Sequence, residues 1–128
     1  MITALYAGLL GLLYAKLSLD TIQARRKHRI SLGVGPNGEI EQIVSAHGNF
    51  AAYASMLILQ LGMLELCDKM PVYAIHAFGL TMALGRGLHY AAFRSNRMNF
   101  KLRVLGMHLT LWPLILMSAM NVVFAWGK

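Results

Sequence analysis

Hydrophobic and polar positions alternate along this chain in long blocks rather than in short periods. Four apolar blocks stand out: Ile2–Ile22, interrupted by Lys16 and Asp20 near its end; Val44–Leu64, without a charge; Met70–Phe93, carrying Arg86; and Val104–Gly127, again without Asp, Glu, Lys or Arg. A bilayer core about 30 Å thick is spanned by roughly 20 apolar residues in a helix rising about 1.5 Å per residue. Each block meets that length. The pattern predicts one domain over residues 1–128, an all-α integral membrane four-helix bundle with helices over about 2–29, 43–67, 70–96 and 100–126. Between the first two helices, Ser31–Glu41 holds Gly33, Gly35, Pro36, Asn37 and Gly38, which is turn chemistry. The link around Asp68, Lys69 and Met70 is short enough to make helices two and three antiparallel neighbours. The first block lacks the positive leader of a secretory signal, so it reads as an uncleaved helix.

Charge adds orientation to this picture. Only 13% of residues are charged, against about a quarter in soluble domains. Arg25, Arg26, Lys27 and Arg29 follow the first block, and Arg94, Arg97, Lys101 and Arg103 follow the third. The opposite side offers Lys69, offset by Asp68, and the terminal Lys128. The rule that basic loops stay inside then places both termini on the non-cytoplasmic side. The +7 balance does not describe a nucleic-acid surface, because the cations bracket hydrophobic blocks instead of forming a soluble basic face. The single cysteine, Cys67, excludes an internal disulfide framework and reads as an incidental thiol. His47, His76 and His108 lie on different helices without ligand spacing, and no metal is expected.

Polar side chains at membrane depth are costly and usually face a partner or the bundle interior. Here they include His47, Asn49, Tyr53, Gln60, Glu65, His76, Arg86, His89, Thr110 and Asn121. Lys16 and Asp20 are four residues apart and can pair along one helix face. At 100° per residue, Arg86, His89, Tyr90, Phe93 and Arg97 share a face of helix three. Arg103, Thr110, Met117 and Asn121 do so on helix four, and Ser45, Asn49, Ala52, Tyr53 and Met56 on helix two. Such stripes fit an anionic ligand near the cytoplasmic interface, and they fit interhelical hydrogen bonds of about 1 kcal/mol equally well. Gly79, Ala83, Gly87 and Ala91, and likewise Ala7, Gly11 and Ala15, form small-residue stripes for helix contact. Pro113 predicts a bend in helix four. A proton-coupled transporter needs a deep acid, whereas Asp20 and Glu65 lie near segment ends.

Three motifs then carry a resemblance. Ser45-Ala46-His47-Gly48-Asn49-Phe50-Ala51-Ala52-Tyr53 resembles the second-helix motif of the MAPEG family, the membrane-associated proteins in eicosanoid and glutathione metabolism. Gly85-Arg86-Gly87-Leu88-His89-Tyr90 is similar to its third-helix motif, and Leu102-Arg103-Val104-Leu105-Gly106-Met107 to the opening of its fourth helix. The likeness is closest to short bacterial members, which implies the bacterial inner membrane. It implies a homotrimer in membrane lipid that binds glutathione between subunits, with a hydrophobic electrophile or hydroperoxide arriving from the bilayer. By the same resemblance Asn49 and Tyr53 contact glutathione, Arg86 holds a carboxylate, and Arg103 is the catalytic residue that stabilises the thiolate. His89 and Phe93 stand where relatives often have tyrosines, and His47 and Tyr90 complete the expected contact set. Many relatives carry an arginine at the position of Ser45, a glutamate at that of Ala52 and a proline at that of Ser55. Two charges are therefore missing from one recognition surface. A glutathione-dependent transferase or peroxidase, and a non-catalytic protein that binds a lipid, an anionic amphiphile or a partner protein, both remain open on the sequence.

Overall fold

The computed structural model describes residues 1–94 and 97–127. It contains α1 (Ile2–His28), α2 (Gly38–Leu66), α3 (Val72–Phe93) and α4 (Phe100–Trp126). Lys128 and the last two residues expected in the third helix, 95 and 96, lie outside the described residues.

Two helix starts differ from the sequence expectation, each for a local reason. α2 begins at Gly38 rather than near 43, because the Asn37 side chain accepts hydrogen bonds from the Glu39 and Ile40 amides at 3.0 and 3.2 Å. That cap satisfies amides with no partner inside the helix, and Glu39 and Glu41 complement the positive helix end. The connection is correspondingly shorter. It is held from α1 by Arg25, whose Nη1 donates to the Gly33 carbonyl at 2.9 Å. α3 begins at Val72 rather than 70, with Pro71 as its cap, where a missing N–H removes no helical hydrogen bond.

α1, α2 and α4 are long and apolar enough to cross a membrane. The expectation of four such segments is thus met by three. α3 has 22 residues, about 33 Å at about 1.5 Å each, but His76, Arg86 and His89 lower its apolarity. Its deepest polar groups are turned inward: Arg86 is 0% and His89 3% exposed.

The apolar core runs along the bundle axis. Phe50, Ala54, Leu57, Leu61 and Leu64 recur at three- and four-residue spacing on α2 and meet Leu10 and Leu17 of α1, Met82 of α3 and Met117 of α4. Outside this core the helices are apolar too. Only 17% of the most apolar stretch of α4 is buried, leaving Trp112, Ile115, Leu116, Val122 and Val123 on the surface. A surface of that kind requires lipid or another protein against it.

Two backbone contacts set the helix spacing. At Gly106 a Cβ would stand 2.8 Å from the Gly85 carbonyl oxygen and from the His89 amide nitrogen, so α3 and α4 touch through their backbones. At Gly79 a Cβ would overlap the Tyr6 ring at 2.2 Å, fixing α1 against α3. Of the expected small-residue stripes, Gly79 is used within the chain, whereas Gly87 and Gly11 face open space. At the far end, Glu65 accepts from the Ile2 and Thr3 amides, the latter at 2.8 Å, and so caps α1 from the last turn of α2. Asn121 donates to the Gln60 carbonyl and side-chain oxygens at 3.0 and 2.6 Å, tying α4 to α2.

Gly106→Ala is expected to lower stability in detergent by about 1–3 kcal/mol, since backbone cannot yield as a flexible side chain can. Thermal unfolding of the purified protein measures this, and an unchanged midpoint contradicts the α3–α4 backbone contact.

Candidate functional site

The site is built around Arg86, whose guanidinium lies between α2, α3 and α4. Its Nε donates to Thr110 Oγ1 at 3.1 Å. Nη1 donates to Asn49 Oδ1 at 2.8 Å and more weakly to the Asn49 carbonyl at 3.4 Å. Nη2 reaches only the Met107 sulfur, at 3.6 Å. Tyr53 presents its ring 5.7 Å from the guanidinium carbon. Thr110 spends its own hydroxyl proton on the Gly106 carbonyl at 2.7 Å, which leaves its lone pairs for Arg86. Every partner is neutral. Removing an ion from water costs several kcal/mol after relaxation, and neutral acceptors and a thioether return only part of it.

Further along the α3–α4 seam lies a second guanidinium. Arg103 is exposed, its carbon 5.7 Å from the Phe93 ring centre and its Nη1 3.7 Å from the Met98 sulfur. Phe93 in turn tilts against His89, with centroids 5.1 Å apart. The imidazole of His89 therefore sits between the two cations on one seam. Among the described residues, neither Arg86 nor Arg103 has a carboxylate within ion-pair distance. The acids that form pairs are Asp20 with Lys16, Glu39 with Lys27 and His28, and Glu65 with the amino terminus.

The structure divides the residues expected in the site. Asn49, Tyr53 and Arg86 converge, and His89, Phe93 and Arg103 adjoin them. His47 and Tyr90 do not join this cluster. His47 turns to α1, where its Nε2 lies 3.1 Å from Ser18 Oγ and its ring stacks on Tyr14 at 4.9 Å. Two residues separate it from Asn49, which is about 200° around a helix. Tyr90 also turns to α1 and donates to Asp20 Oδ2 at 2.7 Å. The single face expected on helix three is therefore split between α4 and α1, and Arg97 lies beyond the helix end. Ser45, Ala52 and Met56, expected on the ligand face of helix two, are exposed.

Sequence reasoning missed Met107. It precedes Thr110 by three residues and so shares its face, which was the available signal. Among the described residues no group of three or more His, Cys, Asp or Glu is placed to hold a metal ion.

With this geometry in place, comparison with known proteins is informative. The sequence profile of the MAPEG family matches residues 3–123. The chain is 32% identical over 122 residues to the inner membrane protein YecN of Escherichia coli strain K12, covering 95% of this chain and 91% of that protein. The same figures hold for YecN of Escherichia coli O6:H1 strain CFT073.

Two substitutions separate a ligand-binding guanidinium from a structural clamp. Asn49→Leu leaves a buried charge short of its best acceptor and is expected to destabilise by about 1–3 kcal/mol. Arg86→Met removes the charge together with its need for partners and is expected to be close to neutral, as apolar replacement of buried ions often is. Thermal unfolding of both variants is the measurement. A larger loss from Arg86→Met than from Asn49→Leu makes Arg86 a clamp between helices.

Proposed function

The chain belongs to the MAPEG family, and from that premise we propose that it is a glutathione-dependent transferase or peroxidase of the bacterial inner membrane, acting on lipophilic substrates. The observation that carries this reading is the pair of guanidinium groups, Arg86 and Arg103, on one helix seam without a carboxylate among the described residues. An anionic ligand supplies what the chain itself lacks there. In this reading all four helices span the bilayer with both termini outside, α3 included, because its Arg86 and His89 are shielded by the other helices. The subunits assemble as a homotrimer.

Glutathione supplies a nucleophilic thiol when bound. The residues on the seam suit such a ligand in part. In this reading Arg86 offers a ligand carboxylate its Nη2 donors, which among the described residues meet only the Met107 sulfur, while Thr110 and Asn49 hold its Nε and Nη1. Arg103 is the exposed cation, able to favour an ionised thiol whose ordinary pKa is about 8.5. Each tenfold gain in thiolate at neutral pH requires about 1.4 kcal/mol of differential stabilisation, within reach of one well-placed guanidinium. The lipid-facing surface of α4 gives a hydrophobic substrate access to that end of the seam.

A second reading rests on a specific observation. Arg86 is 0% exposed, and Ser45 and Ala52 present no charge where relatives carry them. Both features favour a non-catalytic protein that holds a lipid or another anionic amphiphile. Thiolate absorbance of glutathione added to the purified protein separates the two. The enzymatic reading expects a thiolate signal at millimolar glutathione that Arg103→Ala abolishes and that His76→Ala leaves unchanged. Absence of the signal in the folded wild-type protein removes glutathione chemistry and leaves the amphiphile.

A further inference from the structure

The strongest unassigned feature is a half-open cavity of about 740 Å³ where the ends of α1 and α3 meet the start of α2. It opens on the α1 side of α3, away from the Arg86 partners, and among the described residues only Phe93 borders both the cavity and Arg103. Its apolar lining is Leu17, Ala24, Ile43, Ala46 and Phe93. Its polar side chains fall into two groups.

The first group is already engaged. Asp20 is paired with Lys16 and accepts from Tyr90 at 2.7 Å. Glu39 is paired with Lys27 at 3.0 Å and His28 at 2.7 Å. Both carboxylates therefore already carry cationic partners from within the chain. The second group is open. Arg94 lies over the face of Tyr90, 5.7 Å from its centroid, and near enough to Asp20 to interact with it electrostatically, but forms no ion pair or hydrogen bond among the described residues. The amides of Gln23 and Gln42 likewise have no hydrogen-bond partner there. One cation and two neutral amides in a cavity that is otherwise partly apolar suit a phosphate carrying nearby hydroxyls on an apolar body.

We propose that this cavity binds the phosphoglycerol headgroup of an anionic phospholipid, with the phosphate at Arg94, the glycerol hydroxyls at Gln23 and Gln42, and the first acyl carbons against apolar lining residues such as Leu17 and Ala46. A basic pocket between helices, near the membrane surface that carries the basic loops, is the setting in which anionic headgroups are recognised. The volume is in the range of small-molecule sites, so it takes a headgroup and the start of a chain rather than a whole lipid. A phosphocholine or phosphoethanolamine head gains less there, because its ammonium must compete with Lys16 at Asp20 and with Lys27 and His28 at Glu39. This inference does not depend on glutathione chemistry, since it uses none of Arg86, Asn49 or Arg103.

Native mass spectrometry of the full chain in neutral detergent tests it, with lysophosphatidylglycerol, lysophosphatidylcholine and lysophosphatidylethanolamine as probes and glycerol phosphate as the tailless control. The expected result is preferential retention of lysophosphatidylglycerol. Arg94→Gln should reduce that preference about tenfold, the loss expected for one charge-assisted hydrogen bond, and Arg94→Lys should retain most of it. Gln42→Leu should reduce it independently, whereas Lys101→Gln, on α4, should not. Thermal unfolding confirms that each variant is folded, which the exposure of Arg94 favours. Equal retention of all three lipids overturns the proposal, as does a preference that survives Arg94→Gln or is lost equally in Lys101→Gln. Displacement of the lipid by glycerol phosphate at equal concentration overturns the lipid source.

Discussion

A guanidinium enclosed among helices cannot be hydrated, so its N–H donors must be met from within the bundle. Arg86 imposes this condition on three elements at once. Asn49 must lie on the inward face of α2, and Thr110 and Met107 on the matching face of α4. Those contacts accord with the rotation of both helices about their axes. The position of Thr110 also depends on Gly106, whose carbonyl takes the hydroxyl proton and whose missing side chain lets α3 approach. The polar centre and the tight α3–α4 contact are thus one construction. Among the described residues it leaves the charge neutralised by no acid, which distinguishes Arg86 from a completed ion pair.

The same condition explains why α3 differs from its neighbours. Lipid tails provide no drive for helices to associate, so packing and polar contacts must hold a membrane bundle together. α1, α2 and α4 are apolar enough to cross a membrane on composition alone, while α3 carries polar groups that need the other helices around them. Tyr6 beside Gly79 and the His76 backbone holds it on one side, and Gly106 on the other. The protein keeps Arg86 and His89 on the helix that lacks a span-length apolar stretch, and packs that helix against three that have one.

Polar chemistry is also divided around α3. Toward α4 lie Arg86, His89 and Arg103, with two guanidinium groups and no acid paired to them among the described residues. Toward α1 lie Asp20, Lys16 and Tyr90, an internally neutralised network beside the cavity. The first arrangement suits an anion and the chemistry of an ionised thiol. The second suits a molecule with a polar head and an apolar body, received by side chains that the network leaves open. A family fold can in this way offer two unlike sites on opposite sides of one helix.

Much of this was legible in the sequence, because it depends on local quantities. Apolar length sets which segments can be helices in a membrane, and glycine, proline and asparagine mark the turns. The i, i+4 spacing of Lys16 and Asp20 makes them neighbours on any helix, and the motifs around Asn49, Arg86 and Arg103 carry the family. What the sequence left open is pairwise and long-range. Whether His47 and Tyr90 face α4 or α1 depends on helix rotation, which a 100° wheel leaves undefined by an arbitrary angle. The cap that Glu65 gives to Ile2 and Thr3 joins residues more than sixty apart, and the cavity beside Arg94 exists only once three helix ends converge. Hydropathy is a property of each residue alone, whereas facing is decided by the partner across the gap. Only the tertiary structure supplies that partner.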